Sequence, residues 1–152
     1  MKDGISISGV YTIHDITNDI ITIKHNLIMS AMKTLILQFL NYSEEGSPPA
    51  ADGLDINYIA YGDDDTAANV ADTALGNELF RKTLTDKSRS GNYLDIVGQL
   101  ATTEANFNIK EIGLYVGGTA STDSGTLVSH IIVDISKNSN IEYNIYYRLE
   151  LI

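Results

Sequence analysis

A chain of 152 residues, in which twenty aspartates and glutamates face ten lysines and arginines, carries a formal charge of −10. That surplus repels phosphate backbones and argues against a nucleic-acid partner, while the absence of cysteine excludes disulfides and thiolate zinc sites. With 43% hydrophobic and 20% charged residues the composition is that of one folded domain, not of a disordered segment.

The first residues, Met1-Lys2-Asp3-Gly4, are followed by no apolar run of the kind a signal peptide carries. Ile5 to Gly9 and Val10 to Ile13 alternate as short strands, with Gly9 as a bend. Asn18-Asp19 makes a turn, and Ile20 to Lys24 resumes as the second arm of a hairpin. At Asn26 the period changes. Asn26 suits a helix cap, and Ile28, Met32, Leu35, Ile36, Phe39 and Leu40 then recur at helical spacing, predicting a helix over 27–41. This apolar region is interrupted by Lys33, Thr34 and Gln38 and is too short to span a bilayer, so the expectation is a soluble protein with no membrane partner.

Tyr42 to Gly53 reads as a surface loop and Leu54 to Tyr61 as a strand. Asp63, Asp64 and Asp65 form a weak calcium candidate, because hard cations collect carboxylate oxygens. They lack the alternating ligands and closing glutamate of an EF-hand, and a solvated loop is the better reading. A short helix is expected from Asp72 to about Phe80, then extended chain over 79–85 and 93–101 joined by a polar loop, Asp86 to Asn92. Lys82, Lys87 and Arg89 concentrate positive charge there, a possible contact for an acidic neighbour.

In Asn108 to Val116, NIKEIGLYV, the set Lys110, Ile112, Leu114 and Val116 alternates with Ile109, Glu111, Gly113 and Tyr115. Glu111 is the exception in a strand short of charge, and a buried carboxylate needs a cation. Arg81 is the expected partner, its guanidinium gripping Glu111 in a structural clasp between distant parts of the chain. Thr126 to Ile135 and Ile141 to Leu151 are the clearest strands, joined by a turn over 137–140. In the last, Tyr143 and Tyr147 share one face with Ile145 and Leu149 while Tyr146 and Arg148 take the other. Tyr143, Tyr146 and Tyr147 are possible interface residues, with Tyr146, on the wet face, the best.

His14, His25 and His130 are isolated, without a second metal ligand at a recognised spacing. No phosphate-cradling loop, nucleophile elbow or HExxH occurs, so no catalytic residues and no cofactor are expected. The fold class this defines is mainly β, an antiparallel β-sandwich-like domain with one long and one short helix.

The ordered series KHNLIMSAMKTLILQFL, INYIAYGDDD, DTALGNELFR, NIKEIGLYV, SGTLVSHIIVDISKN and a tyrosine-rich last strand resembles the N-terminal domains of tailed-bacteriophage tail-collar fibre proteins and related small virion proteins. That family shows "IA-x-G", "AL-x-x-E-x-x-R" and "EIGL" segments in this order, and the likeness covers about Asn26 to Leu151. It departs at Ala31-Met32-Lys33, where many relatives have a glycine. The resemblance implies one virion structural domain over 1–152, an N-terminal hairpin (1–25) followed by a fibre-attachment-like region (26–152). Glu78, Arg81 and Glu111 fall on its architectural positions.

What it implies for function is a non-enzymatic baseplate or tail-fibre attachment or adaptor component of a virion, acting as a symmetric oligomer. A trimer is favoured, with copies of itself and other virion proteins of tail or capsid as partners. No fibre shaft or receptor-binding tip follows Ile152, which favours an attachment or decorating module. The alternatives are a capsid-surface decoration protein and a receptor- or glycan-binding module in which Tyr58, Tyr61 and Tyr115 would stack on sugars.

Overall fold

The computed structural model describes residues 6–40 and 55–152, so the loop expected over 42–53 lies outside the described residues. Two five-stranded antiparallel sheets face each other. In chain order the elements are β1 (Ile7–Asp15), β2 (Ile20–His25), β3 (Leu27–Ile28), α1 (Ser30–Leu40), β4 (Ile56–Gly62), β5 (Glu78–Thr83), β6 (Asp86–Ser90), β7 (Tyr93–Leu100), β8 (Asn108–Val116), β9 (Thr126–Ser136) and β10 (Tyr143–Leu151). The first sheet runs β2-β1-β10-β7-β6 and the second β3-β9-β8-β4-β5. The chain is thus mainly β and sandwich-like, with one helix among the described residues.

Alternation builds the core. Tyr11 and Ile13 of β1, Ile96 of β7 and Tyr143, Ile145, Tyr147 and Leu149 of β10 meet Ile59 and Tyr61 of β4 and Ile112 and Leu114 of β8 between the sheets. Burying such side chains stabilises by about 1.5–3 kcal/mol each. Two polar contacts cross this core: the Tyr11 hydroxyl lies 2.7 Å from Ser129 Oγ, and Asn26 Nδ2 donates to the same oxygen at 2.8 Å.

Four local expectations are corrected. Asn26 does not cap the helix, because Leu27 and Ile28 pair with His130 and Ser129 as β3, and α1 starts at Ser30. The short helix over 72–80 does not form. Its backbone N–H groups are claimed from outside: Leu75 donates to the Tyr115 hydroxyl, and Gly76 and Asn77 donate to the Glu111 carboxylate. From Glu78 onward the chain pairs with β4. Most of the loop expected over 86–92 is strand β6, which pairs with β7 and leaves Gly91-Asn92 as the turn, Gly91 at φ +57°. An edge strand exposed on both faces shows no hydrophobic alternation, so the polar run concealed it. Ile7–Asp15 is one unbroken strand, not two.

Candidate functional site

The outer face of the second sheet is roofed by the chain's own segment 63–77. Met29, Leu75, Ala60, Tyr115 and Leu127 form a second apolar cluster beneath it. Gly113 permits this close approach, since a Cβ there would stand 2.8 Å from Leu127 Cδ1 and 2.9 Å from Leu75 Cδ2. Beside the cluster lies Glu111, its side chain 1% exposed. Gly62 makes room for it: a Cβ at that position would collide with the Glu111 carboxylate and the Asn77 carbonyl.

Glu111 does not meet Arg81. Its Oε2 accepts from Gly76 N–H at 2.9 Å and lies 3.0 Å from His130 Nε2, and its Oε1 accepts from Asn77 N–H at 2.8 Å. His130 Nδ1 lies 2.9 Å from Asp72 Oδ2. Ionised carboxylates only accept hydrogen bonds, so both ring nitrogens donate and the ring is an imidazolium bridging two anions. Burial pushes the imidazole downward, but the bonds to Glu111 and Asp72 outweigh it and hold His130 above its ordinary value. Burial likewise pushes Glu111 upward, and the His130, Asn77 and Gly76 donors outweigh it, leaving its carboxyl below the usual range. Asp72 also accepts from Asn69 N–H at 2.8 Å, so the cluster ties the roof to β8 and β9. The sequence signal was a titratable residue amid apolar neighbours in each strand, Glu111 in NIKEIGLYV and His130 in TLVSHIIVDIS. What was missing was their pairing, which sets His130 opposite Gly113 on the face Glu111 occupies.

Arg81 pairs with Glu78 instead, in a fork of 2.5 and 2.6 Å whose two side chains are 4% and 1% exposed. Its remaining nitrogen, Nη1, donates to the Thr119 carbonyl (3.1 Å), the Ser124 carbonyl (2.9 Å) and Ser124 Oγ (2.8 Å), and the guanidinium lies 4.6 Å from the Tyr115 ring centre. The expected clasp is therefore two devices. Glu111 fastens the 63–77 roof through His130, and Glu78 with Arg81 fastens the 117–125 loop.

The remaining candidates are distributed differently. Tyr143 and Tyr147 are 8% and 3% exposed and belong to the core, whereas Tyr146 is 41% exposed. Tyr61 and Tyr115 are fully buried and cannot stack on a sugar. Asp63 accepts from Asn77 Nδ2 at 2.7 Å and Asp64 from Thr66 N–H at 2.6 Å, as turn residues do. Among the described residues no three acidic or histidine side chains converge as metal ligands. Lys82 is engaged by Glu104 at 2.7 Å and Lys87 by Asp55.

In contrast to the roofed sheet, the outer face of the first sheet has little over it among the described residues. Ile23, Thr12, Tyr146 and Val97 stand opposite one another across four strands, and the next row is Ile21, His14, Asn144 and Gln99. Arg148 grips Asp95 at 2.6 and 2.7 Å beside this surface. A shallow concavity lined by Val10, Thr12, Val97, Tyr146 and Arg148 opens there. It offers contact area flanked by hydrogen-bonding groups, the chemistry of a protein interface.

In comparison with known proteins, no family model, curated protein or solved structure matches the chain.

Proposed function

We propose that the chain is a non-enzymatic structural component of a tailed phage or phage-like particle, a baseplate or tail-fibre attachment or adaptor module that works as a symmetric oligomer on the virion. The ordered motif series suggests the particle, and a trimer is the oligomer favoured by that resemblance. One structural observation carries the assembly reading. Each sheet has an outer face, and the described residues roof one while leaving on the other a surface centred on Tyr146, with Ile21 and Ile23 58% and 61% exposed. Contiguous exposed apolar groups rimmed by polar ones mark surfaces that meet other proteins. The Glu111, His130, Glu78 and Arg81 groups support the same reading, since their hydrogen bonds hold the fold together.

The test is light scattering of the purified chain, followed by immunogold labelling of particles from the producing host. A stable oligomer with label at the tail end is expected. Label spread over the head would make this a decoration protein, and particles without label would overturn the reading.

A further inference from the structure

Strand β2 is the outermost strand of the first sheet, and all six of its residues are exposed. Asn26 N–H donates to the Gly9 carbonyl at 3.1 Å. In an antiparallel ladder bonding direction alternates, so the even-numbered residues of β2 turn their backbone groups toward β1. Ile21 and Ile23 then turn theirs outward, and among the described residues nothing pairs with them. Proteins ordinarily blunt such an edge with charge. The opposite edge of this sheet is blunted in that way, by Asp86, Lys87 and Arg89 of β6. The β2 edge carries charge only toward its end, at Lys24 and His25, and along the rest presents Ile20, Ile21 and Ile23, which are 58%, 58% and 61% exposed.

We propose that β2 pairs with β2 of a second copy of this chain, antiparallel, about a two-fold axis normal to the sheet and passing through Thr22, joining the two five-stranded sheets edge to edge. An axis of this kind keeps the same sheet face upward in both copies, so opposed side chains lie on one face. Centred on Thr22, it sets Ile21 against the copy's Ile23 twice over, and each such pair exchanges two backbone hydrogen bonds. Centring on Ile21 would put Ile23 against an aspartate, and centring on Ile23 would put Ile21 against a histidine.

Charge selects the same occupant and direction. The strand is preceded by Asp19, whose side chain is 90% exposed, and ends in Lys24 and His25. Antiparallel pairing brings the acidic start of each strand to the basic end of its copy, whereas parallel pairing would set like against like. Asp19, which already meets His14 Nε2 at 3.0 Å, gains His25 of the copy as a further donor.

This pairing rests on the reading of the chain as a self-assembling module, and it predicts an even number of copies, as two chains or as two trimers joined through β2. Because the chain has no cysteine, a single introduced one reports the seam. Thr22→Cys places a thiol opposite its own copy in a non-hydrogen-bonded pair, with Cα atoms about 4.5 Å apart, within disulfide reach. Ile20→Cys and Lys24→Cys face each other and not themselves.

Under mild oxidation Thr22→Cys is expected to bridge roughly tenfold faster than either control alone, and mixing the two controls is expected to restore bridging. Adding Ile23→Pro, which removes an outward amide and spares the β1 ladder, is expected to abolish it, with folding checked by circular dichroism. Ile23→Lys serves should the proline variant not fold. An oligomer in which Thr22→Cys does not bridge overturns the seam and leaves self-assembly standing. A chain that is monomeric at every concentration overturns both.

Discussion

At Glu111 and His130 two opposite charges sit in a place water scarcely reaches, and neither is tolerable there without the other. Glu111→Gln keeps the shape but sets an amide nitrogen or an uncharged oxygen against donors arranged for a carboxylate, so a loss of about 3 kcal/mol in urea denaturation is expected. The pH dependence follows from the two shifts. His130 titrates above its ordinary 6.5, so its contribution is full below that value and is lost as pH rises through the raised folded value. Glu111 titrates below its ordinary 4.5, so its contribution is full above that value and is lost as pH falls through the lowered one. Stability should therefore be greatest between these limits. His130→Gln should flatten the alkaline arm of a melting-temperature profile taken across pH. An unchanged arm would show that the imidazolium is not the group being lost.

Among elements, the 63–77 roof and the 117–125 loop lie outside the ladders and are held by side chains together with single backbone bonds, Ser30 N–H to the Val70 carbonyl and Gly117 N–H to the Asp55 carbonyl, and that makes them separable. Arg81 anchors the loop through Thr119 and Ser124 while neutralising buried Glu78. Arg81→Ala is expected to cost about 3 kcal/mol, because it strands a carboxylate whose side chain is 1% exposed. The double variant Glu78→Ala with Arg81→Ala removes both charges and should cost less than Arg81→Ala by itself. Hydrogen exchange over 117–125 should quicken in both, while exchange in β9 stays slow.

The molecule as a whole is two-sided. Two adjacent tyrosines read out that asymmetry: Tyr147 packs against Tyr11 between the sheets, their tilted rings 4.6 Å apart at the centres, and Tyr146 faces outward. Tyr147→Ala should cost about 3–5 kcal/mol. Tyr146→Ala should change the stability of the isolated chain by less than about 0.5 kcal/mol, and under the proposed function it should weaken attachment to the particle. Chemical denaturation checks the first pair of values and co-sedimentation with particles the second.

Period-two alternation by itself determined that this chain is mainly β. It separated Tyr146 from Tyr143 and Tyr147, and it marked Glu111 as a carboxylate out of place, since strand geometry converts sequence parity directly into a choice of face. Composition alone excluded disulfides. Partners across the fold were a different matter. The forked guanidinium of Arg81 suits a carboxylate such as Glu111, but Glu78 is three residues away on the same strand and captures it. Glu111 then takes a histidine from β9, whose nearness exists only once β8 and β9 pair. Gly76 and Asn77 lost their helix for the same reason: local propensity offered them intrahelical acceptors, and a buried carboxylate supplied by another strand competed successfully for their N–H groups. Which hydrogen bond wins at such a place depends on what the rest of the chain brings to it, and only the tertiary structure decides that.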